Sequence, residues 1–207
     1  MHHRAPVSAM SVVCLAAISG GCHSFHDARF NDGNGASGES VLLVPFRESR
    51  RDRWYGESRE GRGVVKFLRD WTEEQAVDAV FVESELAEEV LHQVLNWTKK
   101  DLRVADWVRI ARPCGARYVI EGDILALELD NALSIGFYDP VATVRYRVID
   151  LESGREVWSR DSWEIKLDER ESQFQPTYEF ENADKVRALF LAHIGSRLGE
   201  ELYGYHE

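Results

Sequence analysis

Cysteine is scarce in this chain. Three cysteines occur among 207 residues, and two of them, Cys14 and Cys22, fall in an apolar leader at the start. Cys114 is therefore the one thiol left for the folded part, which excludes a framework of disulfides within one chain. A lone thiol can serve as a nucleophile, but a small buried side chain is the commoner role for such a residue.

Positive charge is also in short supply. Lysine and arginine together number 25 against 36 acidic residues, which gives a formal net charge of -11 at pH 7. Such an acidic balance argues against nonspecific binding of nucleic acid through the whole surface. Hydrophobic residues at 44% and charged residues at 29% are ordinary for a globular protein, so neither wholesale disorder nor a polytopic membrane protein is indicated.

The sequence contains no motif of a common enzyme class. It has no His-Glu-x-x-His zinc motif, Walker loop, dinucleotide fingerprint or Gly-x-Ser-x-Gly elbow. Glu89 and His92 have di-iron spacing, but no second Glu-x-x-His completes such a site. Glu121 and Asp123 share one face of a predicted strand. Such a pair can serve acid–base or metal chemistry, whereas strand carboxylates more commonly face solvent or pair with nearby arginines. We therefore expect no enzyme, cofactor or small-molecule substrate, with a hydrolase of unknown type as an alternative.

The chain begins with the parts of a secretory signal peptide. A weakly basic start precedes an apolar run from Val7 to Ile18, which is followed by Ser19, Gly20, Gly21 and Cys22. As a helix this run rises about 18 Å, which is short of the roughly 30 Å hydrocarbon core of a bilayer. We expect that it does not span the mature membrane.

Residues 18–22 resemble a bacterial lipobox, although Ser19 stands where the family prefers a branched apolar residue. The resemblance implies a lipoprotein signal peptide over residues 1–21 and lipidation (palmitate) of Cys22. His23 follows the cysteine in place of aspartate, which by resemblance to known sorting rules favours the outer membrane, facing the periplasm. The alternative is ordinary signal-peptidase cleavage that releases a soluble protein. Residues 22–40, rich in Gly, Asn, Ser and Asp, then form a flexible tether that reaches about 20–25 Å.

Residues 41–207 are predicted to form a single α/β domain. The first half contains a strand over Val41–Phe46, then a long charged loop over residues 47–70 with room for a short element. A helix follows from a capping box at Thr72 to Trp97. A short strand over residues 102–104 and a short helix, capped by Asp106 and ending near Ala111, follow.

The second half of this domain reads as strands closed by a helix. A strand is predicted over Tyr118–Leu129, with Gly122 marking a bulge or a close approach. Strands over Val141–Leu151 and Val157–Leu167 form an antiparallel hairpin, and a helix over residues 182–203 ends the chain. The predicted fold class is a single-domain α/β sandwich, whose mixed sheet carries the hairpin and is covered by helices.

Three segments, residues 41–46, 114–122 and 148–158, resemble landmarks of a group of envelope proteins. That group contains the TolB amino-terminal domain, the curli-secretion lipoprotein and the penicillin-binding-protein activator lipoprotein. The resemblance implies a noncatalytic module that binds an envelope protein or assembles a complex. The alternative is a subunit of a secretion pore, but residues 47–70 are too charged, and residues 131–140 too short, for the strands of about 9–11 residues that cross a membrane.

A basic stretch from Arg47 to Lys66 stands apart from the acidic chain. It holds seven basic and four acidic residues, a net charge of +3. This stretch can contact an anionic partner, or it can lie over the chain's own acidic segment, Glu83 to Glu89. Arginine and aromatic side chains dominate binding hot spots, so the candidate partner-binding residues are Arg50, Arg51, Arg53, Trp54 and Tyr55.

Overall fold

The computed structural model describes residues 38–49, 55–57, 59–93, 102–130, 138–167 and 183–204. The predicted leader and nearly all of the predicted tether lie outside these residues. Within them the structure contains seven strands and four α-helices, in the order β1 (Ser40–Leu43), β2 (Arg47–Ser49), β3 (Tyr55–Glu57), α1 (Arg59–Glu74), β4 (Val80–Phe81), α2 (Ser84–His92), α3 (Val104–Ala111), β5 (Tyr118–Asp130), β6 (Tyr138–Asp150), β7 (Arg155–Lys166) and α4 (Ala183–Tyr203).

All of these strands belong to one mixed sheet built around β5. Along one edge of β5, β1 and β2 pair with it in parallel, with Leu43 opposite Ile120 and Arg47 opposite Asp123. Residues 44–46, with Pro45 at their centre, lie between these two short strands and belong to neither, so they interrupt this edge. Beyond them, β4 pairs in parallel with β1, and β3 pairs in antiparallel with β2.

Along its other edge, β5 pairs with β6 in antiparallel, and β6 pairs in turn with β7. The predicted α/β fold class, the mixed sheet and the carboxyl-terminal antiparallel hairpin are therefore confirmed. Gly122 also lies at a close approach, as expected, because a Cβ atom there would lie 2.6 Å from the ring of Phe46.

Helices cover both faces of the sheet, because alternate residues of a strand point to opposite faces. Val41 and Leu43 join a core with α1 and α4, whereas Leu42 and Val44 join a second core with α2 and α3. Helix α4 contributes Phe190, Ile194, Leu198 and Leu202 to the first core, and its Val186 is also buried. No helix among the described residues has both the length and the apolar character needed to cross a membrane.

The predicted loop over residues 47–70 is wrong, because most of it forms β2, β3 and α1. Helix α1 buries Val64, Leu68 and Trp71 at helical spacing. The capping box at Thr72 is also wrong. Thr72 lies in the last turn of α1, where its hydroxyl donates to the carbonyl of Arg69 at 2.7 Å, and the chain leaves the helix through Ala76 with a φ of 51°.

The long helix predicted from Thr72 to Trp97 is likewise wrong. Strand β4 and the separate helix α2 occupy its described part. The short strand over residues 102–104 is wrong too, since Leu102 is buried outside any strand and Val104 begins α3. Asp106 lies at the third position of α3 and not at its N-cap, which is Arg103, but its carboxylate accepts the backbone N–H of Arg103 at 3.1 Å and so contributes to the capping of the helix.

Candidate functional site

A charged ladder crosses the face of the sheet that α2 and α3 cover in part. Glu121 and Asp123 are alternate residues of β5, so they point to the same face. Strand pairing places Arg147 opposite Glu121 and Arg145 opposite Asp123 on β6, and it places Arg47 opposite Asp123 on β2. Oppositely charged side chains thus face one another on three neighbouring strands, an arrangement that stabilises a sheet.

Asp123 is the centre of this ladder and accepts bonds from two guanidinium groups. Arg47 donates its Nε to Oδ1 at 2.6 Å and its Nη2 to Oδ2 at 3.0 Å, which makes a bidentate pair. Arg145 donates its Nε to Oδ2 at 2.8 Å from the other side. The side chains of Arg47 and Asp123 are 6% and 2% exposed, so this pair is withdrawn from water.

Glu121 connects the ladder to the helical layer. Its Oε1 accepts the indole N–H of Trp107 on α3 at 2.8 Å and the Nε of Arg147 at 2.7 Å. Arg147 also donates to the backbone carbonyl of Leu102, just before α3. Burial raises the pKa of the Glu121 carboxyl above its ordinary value, and the nearby Arg147 and Trp107 oppose that shift.

The ladder borders a polar cleft of about 170 Å³ that extends to β7, where Glu156, Ser159 and Asp161 complete its lining. We call the surface of Arg145, Arg147, Glu156, Ser159 and Asp161 the polar sheet face. The side chains of Arg145 and Arg147 are partly exposed, and those of the three β7 residues are exposed. Arg147 pairs with Glu121, and Arg47 and Arg145 pair with Asp123, so the ladder holds the arginines of this face in place.

A second cleft, of about 230 Å³, lies between α1 and α2. We call it the interhelical cleft. Its lining combines apolar side chains with the cations of α1: Leu43, Pro45, Val65, Ala87 and Leu91, together with Arg62, Lys66, Arg69, Ser84 and Glu88. No group of three or more His, Cys, Asp or Glu side chains within the described segments is placed to hold a metal ion.

Most of the site residues predicted from the sequence lie outside the described residues. These are Cys22, Arg50, Arg51, Arg53 and Trp54. Tyr55 is described only in its backbone, which pairs with Ser49 across β2 and β3.

Three arginines of the basic stretch, Arg47, Arg59 and Arg62, are among the described residues. Arg47 is buried in the ladder, whereas Arg62 forms a 2.7 Å ion pair with Glu88 of α2. At this one position the basic stretch therefore contacts the chain's own acidic segment, which was the alternative to contact with an anionic partner. Cys114 is partly buried, and its thiol donates to the carbonyl of Ala111 at 2.8 Å.

Comparison with known proteins gives a set of structural neighbours. The chain is similar to the PelC dodecamer protein from Paraburkholderia phytofirmans, at 13% identity over 83% of this chain and 90% of the other, with a TM-score of 0.46. It is also similar to the LpoB C-terminal domain from Escherichia coli (16% identity, 65% and 87% coverage, TM-score 0.43) and to lipoprotein GNA1162 from Neisseria meningitidis (14% identity, 78% and 99% coverage, TM-score 0.46).

These neighbours match the lipoprotein fold group that the sequence motifs resemble. Their TM-scores lie below 0.5, so no shared activity follows from them. No family model matches the chain, and a search of curated proteins finds no match.

Proposed function

We propose that this chain is a noncatalytic lipoprotein of the bacterial cell envelope that binds a protein partner and helps to assemble a complex. The observation that carries the proposal is the polar sheet face. Exposed side chains of β7 stand beside arginines that are fixed by buried carboxylates. Such a surface is ordered before binding, so little conformational entropy is lost when a partner covers it.

The alternating charges of this face favour one partner over others. Arg145 and Arg147 are each held by a carboxylate of β5, while Glu156 and Asp161 lie beside them on β7. A partner with the complementary order of charges gains encounter rate and register, whereas a mismatched partner meets like charges. This pattern suits the recognition of a protein better than the binding of a uniformly charged polymer.

The lipid anchor is the second part of the proposal. Cys22 carries the lipid, and the domain faces the periplasm from the outer membrane. The tether consists of residues 23–37, because Ser40 begins β1 and the backbone N–H of Gly38 donates to the carbonyl of Asp78 at 3.1 Å. The lipobox-like residues and the linker composition support this arrangement.

Replacing the acylated residue tests the anchor. Cys22→Ser should move the protein from the membrane fraction to the soluble fraction, because the sulfur that accepts the lipid is lost. Cys14→Ser is the matched control, since Cys14 lies in the leader that cleavage removes, and it should stay with membranes. If Cys22→Ser still fractionates with membranes after a high-salt wash, the anchor proposal is wrong.

Crosslinking in native envelopes, followed by recovery of the chain, tests partner binding. The variant Ser159→Arg/Asp161→Arg reverses the charge of the exposed part of the polar sheet face and should lose the crosslinked partner. Asp184→Arg is the control, because it changes an exposed acid at the start of α4. If the parent chain, the double variant and Asp184→Arg all recover the same partner equally, the proposed role of this face is contradicted.

A further inference from the structure

The interhelical cleft lies where the edge of the sheet is incomplete. Strand β4 has two residues and pairs only with Ser40 and Val41 of β1. Leu43 and Pro45 therefore extend beyond the last pair of this edge, and both line the cleft. Helix α1 packs on one face of the sheet and α2 on the other, so the two helices form the walls of a slot at the open edge.

The floor of this slot is apolar and already well packed. Leu43, Val65, Ala87 and Leu91 are between 2% and 9% exposed, so they hold their positions without a ligand. The cleft volume of about 230 Å³ exceeds the roughly 150 Å³ of an apolar cavity that admits benzene. One side chain of the size of phenylalanine or leucine therefore fits.

The rim of the slot is basic, in a chain whose net charge is -11. Arg62, Lys66 and Arg69 line it from successive turns of α1, and Glu88 is the one acid among the lining residues. Arg69 is anchored, because it donates to the carbonyl of Val82 at 2.9 Å and its guanidinium lies 5.1 Å from the centre of the Phe81 ring.

The other two cations of the rim are in exposed ion pairs. Arg62 pairs with Glu88, with side chains 52% and 50% exposed, and Lys66 pairs with Asp70, with side chains 69% and 42% exposed. Exposed ion pairs of this kind contribute little to stability. An incoming carboxylate can therefore replace Glu88 or Asp70 as the partner of either cation at small cost.

From these features we infer that the interhelical cleft binds a short acidic segment of a protein partner. One large apolar side chain of that segment enters the slot, and flanking carboxylates bind Arg62 and Lys66. An uncharged hydrocarbon would leave the basic rim unused, and a bare anion would leave the apolar slot unfilled. The inference rests on the proposed function in one respect, namely that the partner is a protein.

A labelled peptide tests this inference directly. The probe is fluorescein-Gly-Asp-Glu-Phe-Glu-Asp-Gly, and its anisotropy is measured against the full chain carrying Cys22→Ser. Binding should weaken at least about tenfold in Arg62→Gln/Lys66→Gln and should also weaken at higher ionic strength, since the carboxylates lose their cations. Arg109→Gln, an exposed arginine of α3, is the matched control and should bind like the parent chain. Equal melting temperatures establish that the variants are folded.

Two altered peptides separate the contributions of the anchor and of the charges. Replacing Phe by Ala, or the four acids by Asn and Gln, should each abolish measurable binding. The inference would be overturned if the Phe peptide and the Ala peptide bound equally well. It would also be overturned if the parent chain and Arg62→Gln/Lys66→Gln bound the Phe peptide equally well. If decanoate displaces the peptide, and binds the double variant as tightly as it binds the parent chain, the cleft binds a lipid and the inference is wrong.

Two results distinguish a failure of the cleft inference from a failure of the proposed function. If the peptide does not bind, but a crosslinked partner is recovered through the polar sheet face, the cleft inference alone is wrong. If the peptide binds as described but no partner is recovered from envelopes, the inference stands and the assembly role is wrong.

Discussion

Arg47 and Asp123 lie opposite each other in the parallel strands β2 and β5, and their buried side chains form a bidentate ion pair with a shortest N–O distance of 2.6 Å. Arg145 approaches the same carboxylate from the antiparallel neighbour β6. One aspartate therefore connects the interrupted edge of the sheet to the hairpin. This relationship makes Asp123 a structural residue, although its position beside a cleft resembles that of a catalytic acid.

Removing only the acid of this pair should be costly. Asp123→Ala leaves the guanidinium of Arg47 buried without a counter-ion, and breaking a buried pair in this way costs about 3–5 kcal/mol of the free energy of unfolding. Chemical denaturation measures the change. Arg62→Gln is the control, because its pair with Glu88 is about half exposed, and it should cost no more than about 1 kcal/mol.

Replacing both partners separates the cost of a stranded charge from the value of the ion pair. Arg47→Met/Asp123→Leu should recover most of the stability that Asp123→Ala loses, because no buried charge is left at Arg47 and Arg145 is exposed enough to turn to water. A double variant as unstable as Asp123→Ala would show that the ion pair itself stabilises the sheet.

The raised pKa of Glu121 predicts a dependence of stability on pH. Its ordinary value is 4.5, and burial raises it in the folded chain. A carboxyl whose pKa is higher in the folded state contributes stability below its unfolded value, and this contribution is lost as pH rises through the folded value. The free energy of unfolding of the parent chain, relative to Glu121→Gln, should therefore fall as the pH rises above 4.5, the ordinary pKa of this carboxyl. A relative stability that increases over this range would mean that Arg147 outweighs burial.

The contact between α1 and α4 depends on glycines, which gives a matched pair of substitutions. A Cβ atom at Gly195 would lie 2.9 Å from the backbone nitrogen of Leu68, whereas one at Gly63 would lie 3.1 Å from the end of the Leu191 side chain. Gly195→Ala should lower stability by about 1–3 kcal/mol, because backbone cannot move aside as a side chain can.

Gly63→Ala should raise stability by up to about 1 kcal/mol, because alanine is the better helix former and Leu191 can adjust. Thermal or chemical unfolding of the two variants measures both changes. Equal effects from the two substitutions would mean that the helices can separate, and that their close approach does not position α1.

The elements that were predicted correctly are those with an unambiguous pattern. Strands β5 to β7 have 12 or 13 residues each and helix α4 has 21, so each contains enough of its pattern to be recognised. Helix α1 was missed because Gly61 and Gly63 look like loop residues, whereas packing requires a glycine at position 61. A Cβ atom at Gly61 would collide with the backbone of Phe46. Such a requirement depends on residues distant in the chain, which a local pattern does not contain.

The sequence indicated the two acids of the ladder but did not identify their arginine partners. The spacing of Glu121 and Asp123 placed both on one face, and pairing with arginines was one of the alternatives for them. The matching spacing of Arg145 and Arg147 on the next strand was the missing signal, since an antiparallel hairpin brings two such pairs together. Arg47 could not be assigned from pattern alone, because its pairing depends on how residues 44–46 interrupt the edge of the sheet.

Trp54 and Tyr55 follow β2 in the sequence and precede α1. Trp54 is not among the described residues, and of Tyr55 only the backbone is. We expect an exposed Trp-Tyr pair that contacts the protein partner, since aromatic side chains beside arginines give large contact area with polar reach. The change to test is Trp54→Ala/Tyr55→Ala, measured by melting temperature and by recovery of the crosslinked partner from envelopes.

Two outcomes separate binding from packing. If the pair contacts the partner, recovery falls sharply while the melting temperature changes little, because few buried contacts are lost. If Trp54 instead packs over the edge of the sheet, the melting temperature falls and no separate binding defect appears. Phe190→Ala is the reference for lost packing, since Phe190 is 0% exposed and its truncation should cost about 3–5 kcal/mol. A stable double variant that still recovers the partner would refute the binding role, because a hot spot cannot be removed without loss of affinity.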